Sequence, residues 1–115
     1  MSTIVEKPWG QYEEFIRAGI PTNMIVVKRL IVNPGQKLSL QAHQFRSEHW
    51  FVESGHGYFQ VGDEVHEGYT GAEFNIPEKV IHRIIASGNG VSIIETQRGR
   101  CEENDIVRLE DIYGR

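Results

Sequence analysis

A chain of 115 residues has room for one domain and one core. Apolar residues make up 39% and charged residues 24%, the balance of a folded globular chain rather than a disordered one. A net charge of −4 without a basic run argues against a nucleic-acid surface, and no stretch reaches the ~18–20 apolar residues of a membrane span.

The single cysteine, Cys101, excludes an internal disulfide and a cysteine zinc cluster. A chain with no disulfide suits a reducing compartment. Residues 1–11 are polar and broken by Pro8 and Gly10, unlike a secretion signal, so a cytoplasmic location is expected.

In chain order, residues 1–23 read as an N-terminal arm containing a strand at 11–16. Further strands are predicted at 24–32, 37–43, 48–54, 58–61, 64–66, 73–76, 82–86 and 91–97, from short runs of β-branched and aromatic residues. Between them lie Asn33-Pro34-Gly35, Ser54-Gly55, Gly62-Asp63, Tyr69-Thr70-Gly71, Pro77-Glu78-Lys79 and Ser87-Gly88-Asn89-Gly90, all chemically suited to turns. No segment sustains a helical period. Many short strands at regular spacing predict an all-β sandwich or closed barrel in one domain, 1–115. Residues 99–115 are charged, with Ile106-Val107 as a short apolar pair, and read as an edge strand and tail packed across the barrel, or as a frayed terminus.

The 37–43 strand has an unusual face. Alternation puts Lys37, Ser39, Gln41 and His43 on one side and Leu38, Leu40 and Ala42 on the other. For a strand taken alone, a polar face in water is the commoner reading. If that face lines a barrel instead, Gln41 and His43 place two donor atoms side by side. Glu48 opens the next strand and His82 a later one. One amide, two imidazoles and one carboxylate suit a single divalent ion such as Zn²⁺, Mn²⁺, Co²⁺, Ni²⁺ or Fe²⁺.

Gly35…Gln41-x-His43…Glu48-x6-Gly55 resembles the first cupin motif, and Gly71-x5-Pro77…His82 the second. Leu38-Ser39-Leu40-Gln41-Ala42-His43 and Arg46-Ser47-Glu48-His49-Trp50 resemble the signature of the type II mannose-6-phosphate isomerase domain. So do Lys7-Pro8-Trp9-Gly10, His82-Arg83 and the stretch from Glu102 to Arg115. Three positions depart from that pattern: Phe45 stands for a histidine, Lys79 for a glycine and Ala86 for a frequent asparagine.

The resemblance implies a cupin jelly-roll with metal ligands Gln41, His43, Glu48 and His82. It implies interconversion of mannose 6-phosphate and fructose 6-phosphate. In that family the domain usually follows a mannose-1-phosphate guanylyltransferase domain, for which a chain of this length has no room, so GTP chemistry is not expected. Proton-transfer candidates are Lys37, His49 and Glu95, with Glu95 alternatively a partner for Lys37. Alternation argues against His49, which should face away from Glu48. Arg83 joins the catalytic set as a cation, and Arg46, Arg108 and Arg115 are candidates for the substrate phosphate. Two other classes stay open: a non-catalytic cupin that binds a sugar or sugar nucleotide, and another metal-dependent cupin enzyme such as a dioxygenase. A homodimer is expected, covering an outer face such as Leu38, Leu40 and Ala42, or Ile81 and Ile85.

Overall fold

Period-two alternation decides which side chains enter the interior. Along 23–32, Val26, Lys28, Leu30 and Val32 share one parity and are all buried, whereas Ile25 and Ile31 lie on the other face and are exposed. The computed structural model describes residues 2–110, and every regular element among them is a β-strand. In order these are β1 (Thr3–Lys7), β2 (Gly10–Ile20), β3 (Asn23–Val32), β4 (Leu40–Ala42), β5 (Arg46–Val61), β6 (Glu64–Tyr69), β7 (Glu73–Ile76), β8 (His82–Gly99) and β9 (Val107–Glu110).

All pairings are antiparallel. One path runs β1-β2-β3-β8-β4-β9, while β5 pairs with β8, β6 and β7. β8 is the spine. Its second half lies between β3 and the first half of β5, and its first half pairs with the second half of β5 and with β4. A sheet that shares one long strand in this way must curl, and the result is a jelly-roll barrel. Its apolar core is Trp9, Leu30, Val32, Leu38, Trp50, Val52, Phe59, Ile76, Ile84, Ala86, Val91 and Ile93.

The pattern differs from the sequence expectation in four places. Residues 48–54 and 58–61 form one strand, β5, and 82–86 and 91–97 form one strand, β8. Ser54-Gly55 and Ser87-Gly88-Asn89-Gly90 are therefore not chain reversals. The register of β5 against β8 shifts at Val52/Ser54 and at Gly55/Gly57, so the strands bulge there and continue. Glycine permits this: Gly55 has φ 86°, and a Cβ on it would stand 2.3 Å from the Gly90 carbonyl oxygen. Within 37–43 only Leu40–Ala42 is regular strand, and Lys37 makes an isolated bridge to Ile85. Strict alternation fails there, so Leu38 and Ser39 are both buried and Leu38 joins the core instead of an outer face. Finally, the N-terminal arm carries an additional strand, β1, paired along β2.

Candidate metal centre

Three strands turn polar toward one end of the barrel. The buried face of β5 reads Arg46, Glu48, Trp50, Val52; that of β8 ends in Glu95 and Gln97; that of β3 carries Lys28. β4 enters this end with Gln41 paired to His82. His43 follows β4 and is 3% exposed, and His82 is 1% exposed.

His43, Glu48 and His82 converge. Their ligand atoms lie within 4.8 Å of one another. The Glu48 carboxylate sits between the rings, with Oε2 3.4 Å from His43 Nε2 and Oε1 3.3 Å from His82 Nε2. Each ring is anchored through its other nitrogen: His43 Nδ1 lies 2.6 Å from the Asp105 carbonyl and His82 Nδ1 2.9 Å from the Val80 carbonyl. In the neutral rings that puts the proton on Nδ1 and turns Nε2 toward the shared centre, the tautomer a metal-binding histidine adopts. His82 Nε2 is buried without a hydrogen-bond partner.

Two imidazole nitrogens and a carboxylate fit a divalent transition ion, and Gln41, lining the same pocket, carries a further oxygen donor, which here accepts from Ser39 Oγ at 3.3 Å. Arg46 also occupies this centre. Its Nε and Nη2 reach Glu48 Oε2 at 3.1 and 3.0 Å, and Nη2 lies 3.0 Å from His43 Nε2. An ion entering the triad must displace that last contact.

The electrostatics follow from burial and neighbours. Burial pushes the His43 pKa down, only partly offset by Glu48. For His82 burial works the same way, but the Glu48 carboxylate wins and the net shift is upward. Burial opposes ionisation of Glu48, yet His82, Arg46 and His43 hold its carboxyl well below the usual range. Glu95 goes the other way: burial, then repulsion from Glu48, push it up to about 7. It accepts hydrogen bonds from Trp50 Nε1 at 3.0 Å and Gln97 Nε2 at 2.7 Å.

Above the triad is a cavity of about 80 Å³, well under the roughly 300–1,000 Å³ of small-molecule clefts. Gln41, His43, Glu48, Glu95, Arg46 and Arg108 all line it, while the third member of the triad, His82, lies outside its lining. Lys37, His49 and Arg83 do not line it either. Each is a correction to the expected site. His49 has the opposite strand parity to Glu48 and pairs outside with Glu73, at 2.9 Å. Arg83 has the opposite parity to His82, and its Nη1 donates to Glu110 at 3.1 Å. Lys37 precedes the regular part of β4 and sits 3.5 Å from the same Glu110. Arg46 is buried and engaged with the triad rather than standing at a phosphate-binding rim. Arg115 lies outside the described residues.

Sequence reasoning passed over Lys28, Tyr12, Gln97 and Glu103, which also line the cavity. Lys28 is 3% exposed, 3.1 Å from Glu103 and 4.4 Å from the centre of the Tyr12 ring. Its signal was visible: a lysine at the inward parity of an apolar strand. Phe45, where the resembled pattern has a histidine, is 53% exposed. The triad is assembled without that position.

The chain matches the family described as Mannose-6-phosphate isomerase C-terminal over residues 1–111. It belongs to that family. Its relatives include the xanthan biosynthesis protein XanB of Xanthomonas campestris pv. campestris (strain B100), 43% identical over 96% of this chain and 23% of XanB. The alginate biosynthesis protein AlgA of Pseudomonas aeruginosa is 39% identical with the same coverage. Mannose-1-phosphate guanylyltransferase ManC of Salmonella typhimurium is 38% identical, again over 96% and 23%. The chain thus spans about a quarter of these relatives' length.

Among solved structures, the capsular polysaccharide assembling protein CapF of Staphylococcus aureus superposes with a TM-score of 0.77 at 23% identity, over 96% of this chain and 35% of CapF. Oxalate decarboxylase of Bacillus subtilis gives 0.79 at 19%, over 94% and 30%. Streptomyces PAC13 gives 0.79 at 17%, over 96% and 86%. These likenesses establish the cupin barrel. No helix among the described residues is long and apolar enough to cross a membrane.

Proposed function

We propose that this mannose-6-phosphate isomerase C-terminal domain is a metal-dependent aldose–ketose isomerase that interconverts mannose 6-phosphate and fructose 6-phosphate. The observation that carries the reading is Glu95: a buried carboxyl, pushed up to about 7, in the cavity that His43 and Glu48 of the triad also line. A group poised near neutrality can both take and return a proton.

The reaction moves one hydrogen. Glu95 takes the proton from C2 of the aldose and returns it to C1, while the O2 proton passes to O1. The C1 carbonyl becomes a hydroxyl and the C2 hydroxyl a carbonyl, so atoms balance without an oxidant. Gln41, His43, Glu48 and His82 would hold a divalent ion, which would supply Lewis-acid polarisation of the substrate oxygens. Trp50 and Gln97 hold the Glu95 carboxylate in place through their N–H donors. Arg46 supplies positive charge next to the developing enediolate. Lys28 and Arg108 are the cavity's cations for the phosphate.

The test is conversion of mannose 6-phosphate by protein loaded with Mn²⁺, Co²⁺, Ni²⁺ or Zn²⁺. Glu95→Gln is expected to lower kcat by roughly 10²–10⁴-fold with metal content unchanged. The small cavity and the Lys28–Glu103 pair across it favour a second reading, a binding module. Saturable sugar-phosphate binding with no turnover in any metal form would establish that reading and end the first.

A further inference from the structure

The segment after β8 touches the site twice. Glu103 reaches Lys28, and two residues later Asp105 reaches His43. Asp105 makes three contacts at once. Its carbonyl accepts from His43 Nδ1 at 2.6 Å, and its carboxylate oxygens accept from the amides of Gln44 at 3.0 Å and Phe45 at 2.9 Å. Its own amide donates to the Glu102 carbonyl at 3.1 Å and closes the turn. One residue therefore holds the ligand ring together with the two residues that follow it.

The two histidines are anchored in different ways. His82 donates to Val80, two residues away at the entry to its own strand, so its orientation is fixed locally. His43 depends on a carbonyl 62 residues along the chain. A neutral imidazole that offers Nε2 must carry its proton on Nδ1, and that proton needs an acceptor when buried. For His43 the acceptor exists only while the 102–105 turn is in place.

We propose that Asp105 is a positioning residue for the metal centre. It fixes the tautomer and direction of His43, so that binding a divalent ion and closing the 102–105 turn over the cavity are one coupled event. The inference rests on the metal reading of the triad. Coupling is reciprocal: a turn that favours the ion must itself be tightened by the ion.

Three proteins decide it: the full chain, Asp105→Ala and Asp105→Asn, each checked for native circular dichroism. Three readouts are needed. They are the His43 ring tautomer by ¹⁵N NMR without metal, Zn²⁺ affinity by chelator competition, and hydrogen exchange across residues 101–110 with and without Zn²⁺. The native chain is expected to show a single Nδ1–H tautomer at His43 and slower exchange in the turn when Zn²⁺ is added. Asp105→Ala keeps the backbone carbonyl but loses the carboxylate that clamps it beside the Gln44 and Phe45 amides. The carbonyl is therefore expected to drift from His43, giving mixed tautomers, roughly 10–100-fold weaker Zn²⁺ binding and a turn indifferent to Zn²⁺. Asp105→Asn, with one oxygen left to accept, should fall between. A single Nδ1–H tautomer and native Zn²⁺ affinity in Asp105→Ala would overturn the proposal. So would weakened affinity with an unchanged tautomer, which marks general loosening. If the native chain takes up no Zn²⁺, the metal reading fails, and the tautomer comparison still shows whether Asp105 positions His43.

Discussion

The same three strands build both ends of the barrel interior, and the ends differ in kind. Toward one end β3, β5 and β8 contribute Leu30 and Val32, Val52, and Val91 and Ile93; toward the other they contribute Lys28, Arg46 and Glu48, and Glu95 and Gln97. Antiparallel register lines the layers up. Leu30 and Val52 both face Ile93, while Lys28 and Trp50 both face Glu95, and Glu48 faces Gln97. Trp50 is the boundary: its ring lies 6.0 Å from Phe59 and its N–H donates to Glu95. The apolar end supplies the burial that holds the fold. The polar end buries charges that are costly to desolvate, so it adds little to stability, and the proposed chemistry falls there.

Substitution at the polar end should therefore change chemistry most. Glu48→Gln removes the carboxylate between the two imidazoles, and metal content by elemental analysis is expected to fall to a tenth or less of the native chain's. The pH dependence of the metal-free protein should change as well. The folded value of Glu48 is lowered, so its contribution is present above the usual carboxyl range and lost as acid reaches the folded value. The folded value of His82 is raised, so its contribution is complete below about 6.5 and lost as pH rises through the folded value. In Glu48→Gln the alkaline loss should vanish. Melting curves from pH 5 to 9 that keep the same alkaline slope would contradict the pairing.

The apolar end should give the reverse result. Ile93→Ala leaves a cavity at a position with 0% exposure and is expected to destabilise by about 2–5 kcal/mol, read by denaturant titration. Its metal stoichiometry should stay native. If metal were lost together with stability, the two ends would not be separable.

A smaller effect tests the boundary. Glu95 has a folded value raised to about 7, so ionising it costs stability; the cost begins above the usual carboxyl value and is complete once pH passes about 7. Glu95→Gln should match the native chain near pH 4 and exceed its melting temperature at pH 8. Equal melting temperatures throughout would mean that Glu95 ionises without penalty.

The cupin fold and the meeting of His43, Glu48 and His82 were legible because they rest on local pattern. Gln41-x-His43 and Glu48 lie close in sequence, and His82 follows a Pro-containing turn. The resemblance tied these residues together, and the register places Gln41 beside His82. Lys37, His49 and Arg83 were misplaced for two reasons. Adjacency in sequence to Glu48 or His82 means the opposite face of a strand, and Lys37 lies where the strand is not regular. Glycine misled in a similar way: in Gly55 and Gly90 it allows a bulge that keeps two strands running rather than a turn that ends them. Asp105 lies in the 102–115 stretch that carries the resemblance, but nothing in that stretch marks it as a contact to His43. Its backbone carbonyl accepts from His43 and its carboxylate oxygens accept from the amides of Gln44 and Phe45, and neither contact can be read from residue type alone.

Lys79 provides the smallest effect and the one most independent of metal. It stands where the family pattern has glycine, and its φ is +69°, the left-handed region that a side chain disfavours by roughly 1–2 kcal/mol. The conformation is imposed from outside: the Lys79 amide donates to the His43 carbonyl at 2.7 Å, joining the turn before β8 to the residue that follows β4. Lys79→Gly relieves the strain and keeps that hydrogen bond, but glycine gives back part of the gain through a freer unfolded chain, roughly 0.5–1 kcal/mol relative to alanine. The net expectation is a stabilisation of about 1 kcal/mol or less, seen as a small rise in melting temperature with metal affinity unchanged. Lys79→Ala, which stays strained, should show no such rise. If both variants stabilised equally, the backbone conformation would not be the cause, and the lysine side chain itself would be the source of the strain.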